Sequence, residues 1–193
     1  YRESVHIDFL VSDISHYRNL RQLLTGLDGV NGIVRPGAQL LVQARDVRAD
    51  QYGIRTILRV EGQPIKFEIV LEGRIALQEP NASEVVCGIA TLTPLDMATS
   101  KLLANSDRWG DDGVFNRDLI DLAMMRPSLA LLRQALLKAE GAYGKSIRND
   151  LAKAVHRVKT RHDWLERCMR VMAINVPKAI LWKNIQAVER VLR

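Results

Sequence analysis

The main change in the spacing of apolar residues along the chain occurs at Thr93 and Pro94. Before this point several runs place apolar residues at every second position, which is the period of a β-strand. After it apolar residues recur every three or four positions, which is the period of an α-helix. Thr93 suits the N-cap of a helix, and Pro94 suits its first turn. Strands followed by helices predict an α+β fold in which a sheet precedes a helical bundle.

Polar side chains that could bind a metal stand on two of the predicted strands. Apolar residues occupy positions 5, 7, 9 and 11, so His6 and Asp8 project together from the opposite face of the opening strand. Residues 51–60 and 63–73 are predicted to form a hairpin, with Glu68 on the polar face of its second strand. These groups suit one metal ion or a close pair of ions. Each carboxylate alone could instead be a surface residue, with Glu68 in a cross-strand ion pair.

The other elements follow from weaker patterns. Residues 38–49 predict a further strand, and helices are predicted from Pro94 to about residue 108 and over residues 117–125, the latter capped by Asn116. Glycine and proline divide the rest of the chain into a small helical bundle. Residues 16–29 predict a short helix whose apolar side consists of Leu20, Leu23, Leu24 and Leu27.

Charge is distributed unevenly along the chain. Residues 1–125 contain 13 Lys and Arg against 17 Asp and Glu, whereas residues 126–193 contain 15 against 5, and the whole chain has a net charge of +6. A cationic region of this size attracts polyanions, nucleic acid first among them. A solvated basic helix face is the alternative. A helical stripe that could follow a phosphate backbone consists of Lys153, Arg157 and Arg161, with Arg148 beside it.

Composition also excludes some classes of protein. No run of 18 apolar residues occurs, so we expect no membrane-spanning helix. Cys87 and Cys168 lack the spacing of a metal site; they fit a reducing cytoplasm, the expected location, and are expected to be inert core thiols. Trp164 and Trp182 could stack on bases, although tryptophan in a small bundle is usually part of the core.

Three motifs, in this order, resemble one family, the abortive-infection type E (AbiEii/AbiGii-like) nucleotidyltransferase toxins. The segment Arg2-Glu-Ser-Val-His-Ile-Asp8 is similar to the family's Arg-x-Ser-x-Asp-Ile-Asp strand. The segment Lys101-Leu-Leu-Ala-Asn-Ser-Asp-Arg108 is similar to its Lys-x-x-Ala-x-x-x-Arg helix, and Arg117-Asp-Leu-Ile-Asp121 to its Arg-Asp-x-x-Asp helix. The resemblance covers about residues 1–125, whereas the basic C-terminal part matches only in character.

The resemblance implies a fold related to that of DNA polymerase β: a nucleotidyltransferase-like mixed sheet with flanking helices, followed by a helical C-terminal bundle. It implies a sheet core over residues 1–92 and a helical domain over residues 93–193. Within the latter, residues 93–125 would complete the active site and residues 126–193 would form the basic bundle. The implied activity is metal-dependent transfer of a nucleotide from an NTP to an RNA acceptor, with tRNA as the expected substrate. Mg²⁺ or Mn²⁺ would be the cofactor, and an antitoxin protein the partner.

Most site residues are assigned by their position in these motifs. Glu68 is assigned because it lies on the polar face of its strand, and the RNA-binding residues are assigned by the spacing of their charges. The residues expected in catalysis are Asp8, Lys101, Asp118 and Asp121. The expected metal ligands are Asp8, His6 and Glu68. The residues expected to bind the nucleotide are Ser4, Lys101, Arg108 and Arg117. The residues expected to bind RNA are Arg148, Lys153, Arg157 and Arg161.

Two departures from the family pattern leave alternatives open. The family's glycine-rich turn would end where this sequence begins, so the chain is truncated, the turn is disordered, or this copy of the motif is incomplete. His6 replaces the first carboxylate of the Asp-x-Asp pair, and neutral imidazole is a poorer ligand for Mg²⁺ and adds no negative charge. His6 could be a natural variant, an inactivating substitution, an adaptation to another metal, or a histidine that only packs.

These departures favour a competing interpretation. The chain could be a nucleotidyltransferase fold with impaired catalysis that binds nucleotide, RNA or a protein partner. Retention of Asp8, Lys101 and the Arg117–Asp121 motif argues against it. A DNA-binding regulator is a third interpretation, but only the basic bundle supports it.

Overall fold

The computed structural model describes Tyr1 and residues 6–193, which divide into two compact units. The first unit, Glu3–Ala76, is built on a mixed sheet in the order β1-β5-β4-β2, with β3 also paired to β4. β1 runs parallel to β5, and the other pairs are antiparallel. A mixed sheet followed by helices confirms the predicted α+β class. The strands are β1 (His6–Val11), β2 (Val42–Gln43), β3 (Arg48–Ala49), β4 (Gly53–Val60) and β5 (Gln63–Leu71).

One face of this sheet packs against helix α1 (Ile14–Leu24). Asp13 caps the helix, because its side chain accepts a hydrogen bond from the backbone N–H of His16 at 2.7 Å. Tyr17 and Leu24 of the helix are buried in the core of the unit. The core residues from the sheet are Ile54, Leu58, Phe67 and Ile69.

The predicted apolar side of this helix was wrong in two places. The helix ends at Leu24, so Leu27 lies beyond it and is fully exposed, and Leu23 is 51% exposed. Tyr17, Leu20 and Leu24 face the core instead, at the spacing of one helix face.

The predicted hairpin is confirmed as β4 and β5. Its turn has Glu61 and Gly62 with φ angles of 49° and 81°, which matches the right-handed twist of the paired strands. The predicted strand over residues 38–49 was wrong in extent, since only β2 and β3 pair there, with two residues each.

The second unit contains Leu77–Arg193 together with Tyr1 at the start of the chain. It begins with a short hairpin and continues as a helical bundle. The strands of the hairpin are β6 (Val85–Val86) and β7 (Ile89–Ala90). The helices are α2 (Pro94–Arg108), α3 (Arg117–Met125), α4 (Leu129–Tyr143), α5 (Ser146–Thr160), α6 (Trp164–Val171) and α7 (Lys178–Glu189). Short 3₁₀ turns in the two units occupy Gly29–Ile33, Ala82–Glu84, Asp112–Val114 and Arg190–Leu192.

Helix α2 lies at the centre of the bundle. The Thr93 hydroxyl accepts a hydrogen bond from the backbone N–H of Asp96, which confirms the predicted cap. Ala98, Leu102 and Leu103 of α2 are fully buried, and the helix packs against α3, α4 and α5. Along the chain, the boundary between the compact units falls between residues 76 and 77, and residues 77–92 group with the helices. The division into a sheet core over 1–92 and a helical domain over 93–193 stays a prediction.

The predicted side-chain cap of α3 was wrong. Asn116 precedes the helix, but its φ of 50° is left-handed and its side chain caps no N–H group of α3. The side-chain oxygen Oδ1 of Asn116 instead accepts a hydrogen bond from Nε1 of Trp164 at 2.6 Å. Trp164 is 2% exposed, so it belongs to the core.

The two cysteines differ in environment. Cys168 is buried, and burial raises the pKa of its thiol to about 11, which makes it the inert core thiol that we predicted. Cys87 is exposed in the β6–β7 turn, so its placement in the core was wrong.

Within the described residues, every helix is too short or too polar to cross a bilayer.

Candidate active site

The polar face of the first unit brings the predicted strand carboxylates together. In the parallel pair of β1 and β5, Asp8 lies opposite Glu68 and His6 lies opposite Lys66. Neighbouring strands are about 4.8 Å apart, so each pair of side chains leaves the same face of the sheet side by side.

Glu68 is held by two cations. Its Oε1 accepts a hydrogen bond from Nε of Arg55 at 2.5 Å, and its Oε2 lies 2.7 Å from Nζ of Lys66. Burial opposes ionisation of Glu68, but the hydrogen bonds from Lys66 and Arg55 outweigh it and lower the pKa of this carboxyl. Arg55 also binds Asp50 at 2.9 Å. A metal ion at Glu68 would therefore have to replace at least one of these cations.

Asp8 has a different environment. Its side chain is exposed and has no cationic partner among the described residues. Asp8 is therefore the carboxylate of this face that remains available to a ligand. Ser4, predicted to contact the nucleotide from the same strand, lies outside the described residues.

In the second unit, the first of two ion pairs joins α2 to α3. Nζ of Lys101 lies 2.7 Å from Oδ2 of Asp121, and the Tyr1 hydroxyl also donates to Asp121. The lysine side chain is 31% exposed, whereas that of Asp121 is 7% exposed. Sequence reasoning placed Lys101 and Asp121 in one site but missed Tyr1, whose sequence context contains no signal for this contact.

The second ion pair lies two helical turns further along α2. Arg108 donates from Nε and Nη2 to the two oxygens of Asp118, at 2.7 and 2.9 Å. The hydrogen bond to Asp118 raises the pKa of Arg108, so its charge is fixed. The arginine side chain is 38% exposed and that of Asp118 is 2% exposed. In both pairs the carboxylate is buried and the cation reaches the surface.

Comparison with known proteins identifies the family. A scan against protein-family models matches residues 1–187 to the family described as nucleotidyl transferase AbiEii toxin, type IV TA system. The chain belongs to the AbiEii family. The corresponding searches of curated proteins and of solved structures gave no match.

The match extends beyond the motifs that suggested it. The motifs end at about residue 125, whereas the AbiEii family model continues to residue 187 and so includes the basic helices α4 to α6 and most of α7. Membership of a type IV toxin–antitoxin family implies a nucleotide substrate and an antitoxin partner for this AbiEii protein.

The AbiEii sheet carries few candidate ligands for a metal ion. Within Tyr1 and residues 6–193, no group of three His, Cys, Asp or Glu side chains is placed to hold one. Mg²⁺, however, is usually held by one or two carboxylates together with the substrate's phosphates and waters. Exposed Asp8 meets that requirement for an ion that enters with an NTP, whereas the described residues form no cage for a resident ion.

The remaining predicted nucleotide contact, Arg117, starts α3 and is half-buried. It forms no hydrogen bond or ion pair with another described side chain. Arg117 is therefore available to a ligand, and its role stays a prediction.

The predicted RNA-binding stripe of this AbiEii protein makes several internal contacts. Arg148 binds Glu140 and the backbone oxygen of Val191, and Lys153 lies 3.0 Å from Asp150. Arg161 donates to both oxygens of Asp112 at 3.0 and 2.9 Å. The fourth member, Arg157, donates to the backbone oxygens of Trp109 and Gly110 and also contacts Asp112. Sequence spacing found the stripe but missed Trp109 and Asp112, which come from distant segments.

Proposed function

We propose that this AbiEii protein transfers a nucleotide from an NTP to an RNA acceptor, with tRNA as the expected acceptor and Mg²⁺ or Mn²⁺ as cofactor. It would act as the toxin of a toxin–antitoxin pair. The observation that carries the proposal is the pair of partly exposed cations, Lys101 and Arg108, that buried carboxylates of α3 hold on one face of α2.

This arrangement suits the binding of phosphates. Residues seven apart on a helix share a face and stand about 10 Å apart along the axis. Because Asp121 and Asp118 fix the two cations before any ligand binds, little side-chain entropy remains to be lost on binding. Lys101 offers a compact charge, and Arg108 offers a planar fork that fits phosphate oxygens. In this proposal Asp118 and Asp121 would position the cations.

The sheet unit would contribute the metal ligand. Asp8 would hold Mg²⁺ with the phosphates of the NTP, and His6 beside it adds no negative charge. When bound, the metal ion neutralises the triphosphate and activates the attacking oxygen. In the proposed reaction an RNA hydroxyl bonds to the α-phosphorus, and the bond between the α- and β-phosphates breaks to release pyrophosphate.

A second candidate function has its own supporting observations. His6 stands where the family has a carboxylate, and both oxygens of Glu68 are engaged by Arg55 and Lys66. These features favour a catalytically impaired protein that binds nucleotide, RNA or a protein partner.

A transfer assay tests the proposal. Purified protein is incubated with total tRNA and each labelled NTP in turn, with Mg²⁺ or Mn²⁺. We expect label on tRNA from the wild type, a loss of about 10²–10³-fold in rate for Lys101→Met, and no loss for the matched control Lys183→Met, at an exposed position of α7.

The outcomes separate the two candidate functions. Labelling by His6→Asp but not by the wild type would identify His6 as the cause of impaired catalysis. Metal-dependent NTP binding without labelling of any RNA would contradict the choice of acceptor. If no variant binds an NTP, the impaired binding protein is the better description.

A further inference from the structure

A groove of about 510 Å³ lies beside α5 in the second unit. Trp109, the residue that ends α2, forms one part of its lining. Lys153, His156, Arg157 and Arg161 of α5 and its C-cap form most of the rest. The described lining contains cations and an aromatic ring but no carboxylate, so its chemistry suits an anion that carries a flat ring.

The backbone at Trp109 is held in place by Arg157. Arg157 donates to the backbone oxygen of Trp109 at 3.3 Å and to that of Gly110 at 2.8 Å, which fixes the end of α2 against α5. Nζ of Lys153 lies over the Trp109 ring, 5.3 Å from its centre. A flexible lysine is easily displaced from a ring face, so the indole can exchange this cation for another flat group.

Two arginines that line the groove with Trp109 share the carboxylate of Asp112. Arg161 donates to both oxygens of Asp112, and Arg157 contacts the same side chain. Asp112 is 54% exposed, whereas both guanidinium groups stack on the buried ring of Trp164, 4.7 and 4.0 Å from its centre. The cations are therefore fixed and the carboxylate is open to solvent. Burial and the neighbouring charge of Arg161 lower the pKa of Arg157, an unfavourable effect that a second anion would relieve.

We infer that this groove binds one unpaired nucleotide of an RNA, with its base stacked on Trp109 and a phosphate at Arg157 and Arg161 in place of Asp112. Lys153 moves from the ring to the phosphate backbone. The inference rests on the proposed function in taking RNA as the polyanion. It adds a contact with a base to the predicted RNA-binding stripe. It also means that Asp112 competes with the RNA phosphate for Arg157 and Arg161.

The base must be unpaired because a duplex hides the faces of its bases, whereas a single strand can offer them to an aromatic side chain. The groove therefore selects the end or a loop of an RNA rather than its helical stem. An acidic protein segment would satisfy the arginines but would leave the half-buried ring of Trp109 without a matching group.

Equilibrium binding of short RNAs tests the inference, with the full chain and without NTP or metal. The probe is a labelled single-stranded RNA of ten nucleotides of mixed sequence, compared with its blunt duplex. Trp109→Leu is expected to weaken binding of the single strand by roughly 5- to 150-fold, the range for loss of one base–aromatic stack. The duplex should change by less than about twofold, and Trp109→Phe should retain most of the affinity because it keeps a ring.

Charge variants test the phosphate contact separately. Asp112→Asn is expected to tighten binding of the single strand and to steepen its dependence on salt. Lys153→Gln should reduce the slope of log affinity against log salt concentration by about 0.7, the value for one phosphate of a single strand. Lys183→Gln, on α7 and outside the groove, is the matched control and should leave the slope unchanged.

Three results would overturn the inference. One is that the folded Trp109→Leu variant binds the single strand as tightly as the wild type does. Another is weaker or unchanged binding by Asp112→Asn, as expected if Asp112 only holds the loop together. A third is competition by poly-aspartate as effective as that by RNA, which would identify an acidic protein segment as the occupant.

Failure of this inference and failure of the proposed function give different results. If the binding pattern holds but no RNA is ever labelled, the groove stands and the transferase proposal fails. If RNA is labelled and Trp109→Leu leaves the KM for RNA unchanged, the function stands and the groove is not its acceptor site.

Discussion

The polar face of the sheet and the α2–α3 helix pair both hold a largely buried carboxylate with cations that reach the surface, but only the sheet also has an exposed carboxylate beside them. On the sheet, Glu68 is surrounded by Arg55 and Lys66, and neighbouring Asp8 is left exposed. On the helices the carboxylates are buried, and Lys101 and Arg108 reach the surface.

The difference shows how one type of interaction can prepare sites for opposite ligands. A carboxylate left beside a neutralised neighbour attracts a cation, whereas cations tethered by buried carboxylates attract an anion. Mg²⁺ and a triphosphate are such a cation and anion. The predictions below separate the two regions by changing one of them at a time.

The largest effect is expected at Asp8. Asp8→Asn removes the exposed carboxylate and should reduce nucleotide transfer by about 10³-fold, since the charge stabilisation that a metal ion provides is worth several kcal/mol. Asp28→Asn changes an exposed carboxylate elsewhere in the same unit and should leave the rate unchanged. Equal rates for both variants would show that the sheet supplies no metal ligand.

A stability effect should distinguish the helix pair from the sheet. Arg108→Met leaves the buried carboxylate of Asp118 without its partner and should lower the free energy of unfolding by about 2–3 kcal/mol. Lys66→Met leaves Glu68 still bound to Arg55, so the same change of a cation to Met should cost less than about 1 kcal/mol. Urea unfolding of both variants measures the difference. Similar losses of stability in the two variants would contradict the claim that Asp118 depends on Arg108 as its buried ion-pair partner.

The smallest effect concerns the pH dependence of the sheet. The pKa of Glu68 is lowered from its ordinary value of 4.5. Its contribution to stability is therefore complete above about pH 4.5 and is lost as the pH falls through the lower folded pKa. Glu68→Gln should reduce the pH dependence of the urea unfolding midpoint between pH 3 and pH 5. The reduction should correspond to at most about 1 kcal/mol in the free energy of unfolding. An unchanged pH profile would contradict the two-cation environment of Glu68.

Much of the local structure could be predicted from residue spacing. The alternation in residues 63–73 placed Glu68 on the polar face, which follows from the strand period that neighbouring residues determine. Lys101 was grouped with Asp121 by the resemblance of the α2 and α3 motifs to those of the AbiEii family. Leu27 was included wrongly because the leucine spacing was extended past the end of the helix at Leu24, although Gly26 just beyond that end is a local stop signal.

Contacts between distant segments could not be predicted in this way. Asp118 pairs with Arg108 rather than Lys101 because of how α2 packs on α3, which a one-dimensional pattern does not record. The position of Asn116 predicted a helix cap, but its side chain instead accepts a hydrogen bond from Trp164, which is distant in sequence. The meeting of Trp109 and Asp112 with α5 likewise depends on helix packing across almost 50 residues of sequence.

The most direct test of the account is the binding of a non-hydrolysable NTP analogue with and without Mg²⁺, measured by calorimetry. We predict that Lys101→Met weakens binding under both conditions, because its lysine contacts the phosphates directly. Asp8→Asn should remove only the part of the affinity that depends on Mg²⁺. If Asp8→Asn keeps the full metal dependence, or if Lys101→Met binds as well as the wild type, the assignment of the cation site to the sheet and the phosphate site to the helices is wrong.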